Sequence, residues 1–192
     1  IIEDDPYSML RFAGERIPQL AALAPNRDTV VYVGSFSKIL APGMRLGWLV
    51  ASEELIRKLT VLRESLDLES SQWIQRTVDQ FLRDGAFSTH LQNLNSLNAE
   101  RNRQLMTSLE QHLGPLGVNW TKPEGGLFCW LTFPEEVNTW QLFERAVGQK
   151  VAFIPGAAFS VAEASKNTAR LNFSNLKPER IAEGIEILSR LI

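Results

Sequence analysis

Lys38 stands in a stretch whose residue types could hold a phosphorylated aldehyde. Ser35 and Ser37 precede it in a tight loop directly after a strand-like run, and Arg45 follows seven residues on. A reactive lysine needs a setting that lowers its proton affinity or ties its amine up as an imine. Hydroxyls can bond phosphate oxygens, and an arginine, permanently charged, can grip a phosphate with two parallel N–H bonds. A solvated turn with scattered polar residues is the plainer reading of the same stretch. The start of the chain bears on the choice. Asp4 and Tyr7 lie three residues apart around Pro6. A carboxylate that stays ionised against a ring nitrogen keeps that ring protonated and makes it a better electron sink. A nearby phenol could bond an oxygen on the same ring.

These residues need elements to position them. Residues 29–34 are rich in β-branched side chains and bounded by Asp28 and Gly34, which predicts a strand. Residues 46–51 form a second apolar run of strand length, and Ser52 with Glu53 and Glu54 has the signature of a helix start. Between the strands, residues 35–45 read as a loop punctuated by Pro42 and Gly43. From about 70 to 113 the pattern is helical. Trp73, Ile74, Val78, Phe81 and Leu82 predict one buried face, Asp84-Gly85 a break, and Leu91, Leu94, Leu97, Leu105 and Leu109 a resumed helix. Strands are predicted at 126–133, 151–154 and 169–174, and helices at 140–148 and from Pro178 onward. Alternating strands and helices give an α/β or α+β architecture. A soft boundary near residue 95 would separate an α/β domain (1–95) from a small α+β domain (96–192).

The chain has 192 residues, 44% of them hydrophobic and 22% charged, with a formal net charge of −2. That balance gives no electrostatic reason to bind nucleic acid or a membrane. No apolar run reaches the roughly 18–20 residues that span a bilayer. The single cysteine, Cys129, excludes an internal disulfide framework and reads as an inert buried thiol in an apolar strand. His90 and His112 lie too far apart to imply a metal pair, and no metal-ligand cluster is seen. Trp73, Trp120, Trp130 and Trp140 read as core or interface. Ile1-Ile2 running into Glu3-Asp4-Asp5 looks like the end of a strand entering a loop, so the chain reads as a piece of a longer protein.

Several motifs, taken in order, resemble the class I/II aminotransferases of fold type I, which depend on pyridoxal 5′-phosphate (PLP). They are Glu3-Asp4-Asp5-Pro6-Tyr7 with Leu10-Arg11-Phe12, Gly34-Ser35-Phe36-Ser37-Lys38, and 41–48 from Ala41-Pro42-Gly43 to Trp48. Pro123-Glu124-Gly125-Gly126-Leu127-Phe128, Ile154-Pro155-Gly156 with Phe159, and Ala169-Arg170-Leu171-Asn172-Phe173-Ser174 continue the series. The likeness is greatest to the branch of 2-aminoadipate and kynurenine aminotransferases, and it runs from the first residue to the last helix. It implies the C-terminal part of the large PLP-binding domain, ending in an interdomain helix, followed by the small C-terminal domain.

The resemblance also implies roles. Asp4 would partner the pyridinium nitrogen, and Tyr7 would donate to the ring's 3-oxygen. Lys38 would be the Schiff-base lysine and the base that moves the substrate's proton. Ser35, Ser37 and Arg45 would hold the phosphate, and Arg170 would clamp the substrate's α-carboxylate. The implied reaction passes an amino group between an amino acid and a 2-oxo acid. The family further implies a homodimer at full length, and the single cysteine is compatible with a reducing cytoplasm, so a cytoplasmic location is expected. Further cofactor contacts in this family come from upstream and from a second subunit, so the 192 residues alone are expected to be inactive. One alternative belongs to another class. Some winged helix-turn-helix transcription regulators carry an aminotransferase-like domain in which PLP serves as effector, and only such an upstream domain would bring in nucleic acid. The amino donor and acceptor are not legible, since Arg170 would read only the carboxylate common to all amino acids.

Overall fold

The computed structural model describes residues 1–161 and 165–192, with the backbone alone at residue 27. These residues form two units, Ile1–Asn95 and Ser96–Ile192. In the first, β1 (Ile2–Asp5) pairs in parallel with β2 (Val31–Ser35), matching Asp4 to Val33 and Asp5 to Gly34. β3 (Gly47–Val50) then pairs antiparallel with β2, setting Trp48 opposite Gly34 and Gly47 opposite Ser35. The crossover between the parallel strands contains the helical turn α1 (Leu20–Leu23) and a 3-10 turn at Arg27–Thr29, and the first amides of α1, at Leu20 and Ala21, donate to the Glu3 carboxylate at 2.7 and 3.1 Å.

Side chains alternate across a strand, and here the alternation sorts the acidic residues at the chain start. Asp5, Tyr32, Gly34 and Trp48 share one face of the sheet, while Asp4, Val33 and Ser35 share the other. Gly34 is required on its face. A Cβ there would meet the Trp48 indole at 2.2 Å, and that indole packs on Phe36 with ring centroids 4.8 Å apart.

The stretch expected to be loop between β2 and β3 is not all loop. It holds a single helical turn, α2 (Phe36–Ile39), and a 3-10 turn at Pro42–Met44. A turn this short lacks the periodicity by which helices are read from sequence, so its only signal was the Ser35 cap. α3 (Glu53–Asp67) begins as expected, with Ser52 Oγ accepting from Leu55 N at 3.4 Å. α4 (Gln72–Arg83) and α5 (Ala86–His112) flank the predicted break at Asp84-Gly85. The buried face of α4 is narrower than its apolar residues indicated. Val78 is buried and Ile74 and Phe81 half-buried, whereas Trp73 is 78% exposed and Leu82 40%. The stripe follows i, i+4, i+7 from Ile74, and Trp73 and Leu82 each stand one residue, about 100°, off it.

The second unit carries an antiparallel sheet in the order β4 (Asn119–Trp120), β5 (Phe128–Thr132), β7 (Thr168–Asn172), β6 (Ile154–Pro155). The β6 segment lies at Ile154–Pro155 in place of the expected 151–154, because the Val151 amide is taken by Ala146 O at the end of α6 (Thr139–Gly148), at 2.9 Å, and not by a strand partner. α6 and α7 (Pro178–Ser189) supply helical faces. Asn138 caps α6, its Oδ1 accepting from the Trp140 and Gln141 amides at 3.0 and 3.3 Å. The core alternates out of the strands: Cys129, Leu131, Ala169 and Leu171 are buried, with Leu142, Ala146, Ile181, Ile185 and Leu188 from the two helices. Each buried leucine contributes about 1.5–3 kcal/mol. The opposite parity of β5 and β7 places Phe128, Trp130 and Arg170 on the other face.

Candidate functional site

β1 and β2 run parallel, so both release their chains at the same edge of the sheet. Ligands of open α/β sheets bind outside the carboxyl ends of such strands. Asp4 and Tyr7 occupy the end of β1 and the turn after it, and Ser35 to Lys38 the end of β2 and the turn after it. Ser35, still extended at φ −142°, ψ 135°, caps α2, its Oγ accepting from Ser37 N at 3.1 Å. The antiparallel return into β3 brings Arg45 back to this turn. Arg45 holds a left-handed backbone, φ 50° and ψ 41°, a conformation that costs a non-glycine residue about 1–2 kcal/mol. In that pose its Nη1 donates to the Pro42 carbonyl at 3.2 Å and to Ser37 Oγ at 3.5 Å.

The structure thus links Ser35, Ser37 and Arg45 into one cluster. Lys38 is exposed on the same turn, and its ammonium has no hydrogen bond or ion pair among the described residues. Asp4 is exposed on the sheet face it shares with Ser35 and also lacks such a partner among the described residues. Tyr7 is half-buried, its carbonyl accepting from Leu10 N at 2.8 Å. Asp5 faces the other way. It accepts from Tyr32 Oη at 2.9 Å and from Ser8 N at 2.8 Å. Burial alone would raise the Asp5 carboxyl, but the hydrogen bonds from Ser8 and Tyr32 outweigh it and hold the group below its ordinary 3.8. Burial, then the bond to Asp5, pushes the Tyr32 phenol up.

Arg170 belongs to the second unit and sits in a different kind of setting. Its guanidinium carbon lies 4.1 Å from the centre of the Phe128 ring and 4.4 Å from that of Phe159. Trp130 packs against Phe159, centroids 5.8 Å apart at 60°. Such stacking holds a planar guanidinium in place while leaving its N–H edges able to donate. Among the described residues no carboxylate stands within ion-pair distance of Arg170. Gly156 makes the arrangement possible. A Cβ there would meet Thr168 Oγ1 at 1.8 Å, and the 3-10 turn that it opens, Gly156–Phe159, carries Phe159 onto the arginine.

The aromatic pair around Arg170 was missed by sequence reasoning, as was the place of Trp130 beside it. Parity was the available signal, since Phe128 and Trp130 occupy the outward positions of a strand whose inward positions are Cys129 and Leu131. Cys129 is buried as expected, and burial, only partly offset by hydrogen bonds with Thr121, pushes its thiol up to about 11.

The family model for aminotransferase class I and II matches residues 1–188. The chain belongs to this family. The aromatic-amino-acid aminotransferase 1 of Thermococcus litoralis is 40% identical over 192 residues, all of this chain and 46% of that protein. The crystal structure of the Pyrococcus horikoshii kynurenine aminotransferase matches with a TM-score of 0.92 and 38% identity, over 99% of this chain and 46% of that one. The α-aminoadipate aminotransferase LysN of Thermus thermophilus, solved with N-(5′-phosphopyridoxyl)-L-leucine, matches with a TM-score of 0.90 and 35% identity, over 99% of this chain and 49% of that one. A helix-turn-helix transcriptional regulator of Escherichia coli is 32% identical over the whole chain and 40% of its own length. The fold is that of the fold type I aminotransferases, and the chain spans about half the length of the aminotransferases it matches.

Proposed function

We propose that this chain is the part of a PLP-dependent aminotransferase that anchors the cofactor and clamps the substrate's carboxylate. The observation that carries the reading is the hydrogen-bonded cluster of Ser35, Ser37 and Arg45 on the turn of Lys38, at the carboxyl ends of two parallel strands. Two hydroxyls and a guanidinium form a donor set suited to a phosphate group, and an exposed amine beside them suits its aldehyde.

When bound, PLP supplies an electrophilic carbon and an electron sink for the bonds at the substrate's α-carbon. Ser35, Ser37 and Arg45 would hold its phosphate. Asp4, exposed on the Ser35 face, would keep the ring nitrogen protonated, and the Tyr7 phenol would donate to the 3-oxygen. Lys38 Nζ would hold the cofactor's aldehyde carbon and, when free as the amine, would be the base for the substrate's α-proton. Arg170 takes the α-carboxylate in a two-pronged grip, its plane set by Phe128 and Phe159. The substrates are an amino acid and a 2-oxo acid, and the full-length protein works as a cytoplasmic homodimer. No helix among the described residues is long and apolar enough to cross a membrane. Because the chain spans about half of its relatives, the 192 residues alone turn over no substrate.

The test is transamination by the polypeptide at its natural full length, with a panel of amino acids and 2-oxoglutarate as acceptor. Turnover in the wild type, with a loss of at least about 10³-fold in Lys38→Ala, is expected. The match to transcriptional regulators favours a second reading, an effector-sensing domain in which Lys38 binds PLP without turnover. The higher identity to aminotransferases, 40% against 32%, supports the enzyme over the regulator. PLP bound on Lys38 with no turnover for any amino acid would favour the regulator.

A further inference from the structure

α2 is a single turn, and a helix leaves its last carbonyls without helical partners. Leu40 and Ala41 N–H both close onto Phe36 O, at 2.9 and 3.1 Å, while the helical donors to Ile39 O would be residues 42 and 43: Pro42 has no N–H, and the chain leaves the helix at Leu40, φ −137° and ψ −79°. Ile39 is 2% exposed, and an unpaired carbonyl in such a place is costly. Its partner comes from 51 residues further along the chain, where His90 Nε2 lies 3.0 Å from Ile39 O. A carbonyl oxygen only accepts, so Nε2 carries the proton and donates. The imidazole is half-buried on α5 and packs edge-on to Phe81, with centroids 6.1 Å apart at 76°.

We propose that His90 is a positioning residue for Lys38, fixing the end of the lysine-bearing turn to α5 through the Ile39 carbonyl. Ser35 closes the other end of the same turn through Ser37 N, at 3.1 Å. Lys38 lies between the two pins, one residue before the first and one after the second. The turn is too short to be stable by itself, so the aim of Lys38 depends on both pins. The role assigned to His90 rests on the reading of Lys38 as the cofactor lysine. The bond to Ile39 does not.

Two variants of the full-length protein separate the bond from the ring. His90→Phe keeps an aromatic ring and removes the donor, whereas His90→Gln keeps an N–H donor at similar reach. Two quantities are read. One is amide hydrogen exchange at Leu40 and Ala41, whose N–H groups close the turn, in cofactor-free protein. The other is the initial rate at which added PLP is trapped by borohydride on Lys38. His90→Phe is expected to speed the exchange about tenfold and slow trapping by a similar factor, with α6 amides unchanged. His90→Gln is expected to restore both to within about threefold of wild type. Wild-type exchange in His90→Phe overturns the proposal, as does faster exchange with normal trapping. His90→Gln as impaired as His90→Phe overturns it too, because ring packing would then set the turn. His90→Met replaces His90→Phe if the latter does not fold. Wild-type protein unlabelled at Lys38 overturns the cofactor reading and with it the role of His90, while the exchange pattern still tells whether the tether exists.

Discussion

The two units hold their cations by opposite means. Around Lys38, order comes from hydrogen bonds on a short turn: Ser35 to Ser37, Arg45 to Ser37 and Pro42, and His90 to Ile39. Around Arg170 it comes from stacking, with the guanidinium between Phe128 and Phe159 and Trp130 behind. The supporting layers differ in the same sense. Among the described residues 22 hydrophobic side chains are buried, of which five (Leu10, Val30, Tyr32, Ile39 and Val78) belong to Ile1–Asn95 and the other 17 to Ser96–Ile192. Ile2 and Val50, on the strands flanking β2, are 76% and 57% exposed. Among the described residues the second unit closes its own core and presents Arg170 on an aromatic-lined face, while the few buried side chains of the first belong to a chain that spans about half the length of its relatives. A reactive amine on a one-turn helix has to be aimed by tethers from outside the turn, and a carboxylate receptor gains from a fixed plane.

The sharpest way to break this contrast is at Arg170. If the stacked plane is what matters, lysine cannot replace it, because a point charge offers neither the fork nor the flat surface. Arg170→Lys is expected to lower kcat/KM about 10- to 100-fold, mostly through KM, in steady-state assays of the full-length enzyme. An unchanged KM would remove Arg170 from the carboxylate site. Next in size is the core. Leu131, fully buried, should destabilise the second unit by about 2–5 kcal/mol on truncation to alanine. In the 192-residue chain, exposed Val50 should shift unfolding by less than about 0.5 kcal/mol on the same change. Denaturant melts followed by amide exchange in each unit would check both, and equal effects would contradict the uneven core.

The smallest effect concerns Asp5. Its folded-state carboxyl lies below 3.8, so its contribution is fully present above about pH 3.8 and is lost as pH falls through the lower folded value. Acid titrations of unfolding should show that loss in the wild type below pH 3.8, and Asp5→Asn should flatten it there. A variant that keeps the wild-type acid slope would assign the loss to other carboxylates.

Much of this was legible in sequence because it rested on local chemistry. β-Branched residues announced β2, Ser52 with two glutamates announced α3, and Asp84-Gly85 the break between α4 and α5. The phosphate-type cluster was readable because its three members lie within one loop. What stayed hidden depends on contacts distant in sequence or on elements too short for a period. α2 is one turn, β4 two residues, and the exposure of Trp73 depends on which stripe of α4 finds a partner. The bond from His90 to Ile39 and the Phe159 ring on Arg170 join residues that only the fold brings together. The face that separates Asp4 from Asp5 follows from strand alternation, which the pairing with β2 had to fix first.

The central claim is that Lys38 is the cofactor lysine. Borohydride reduction of the full-length protein with PLP, followed by peptide mass mapping, tests it most directly. A phosphopyridoxyl group on Lys38 and on no other lysine is the predicted result. A folded protein at saturating PLP with Lys38 unmodified would contradict the account.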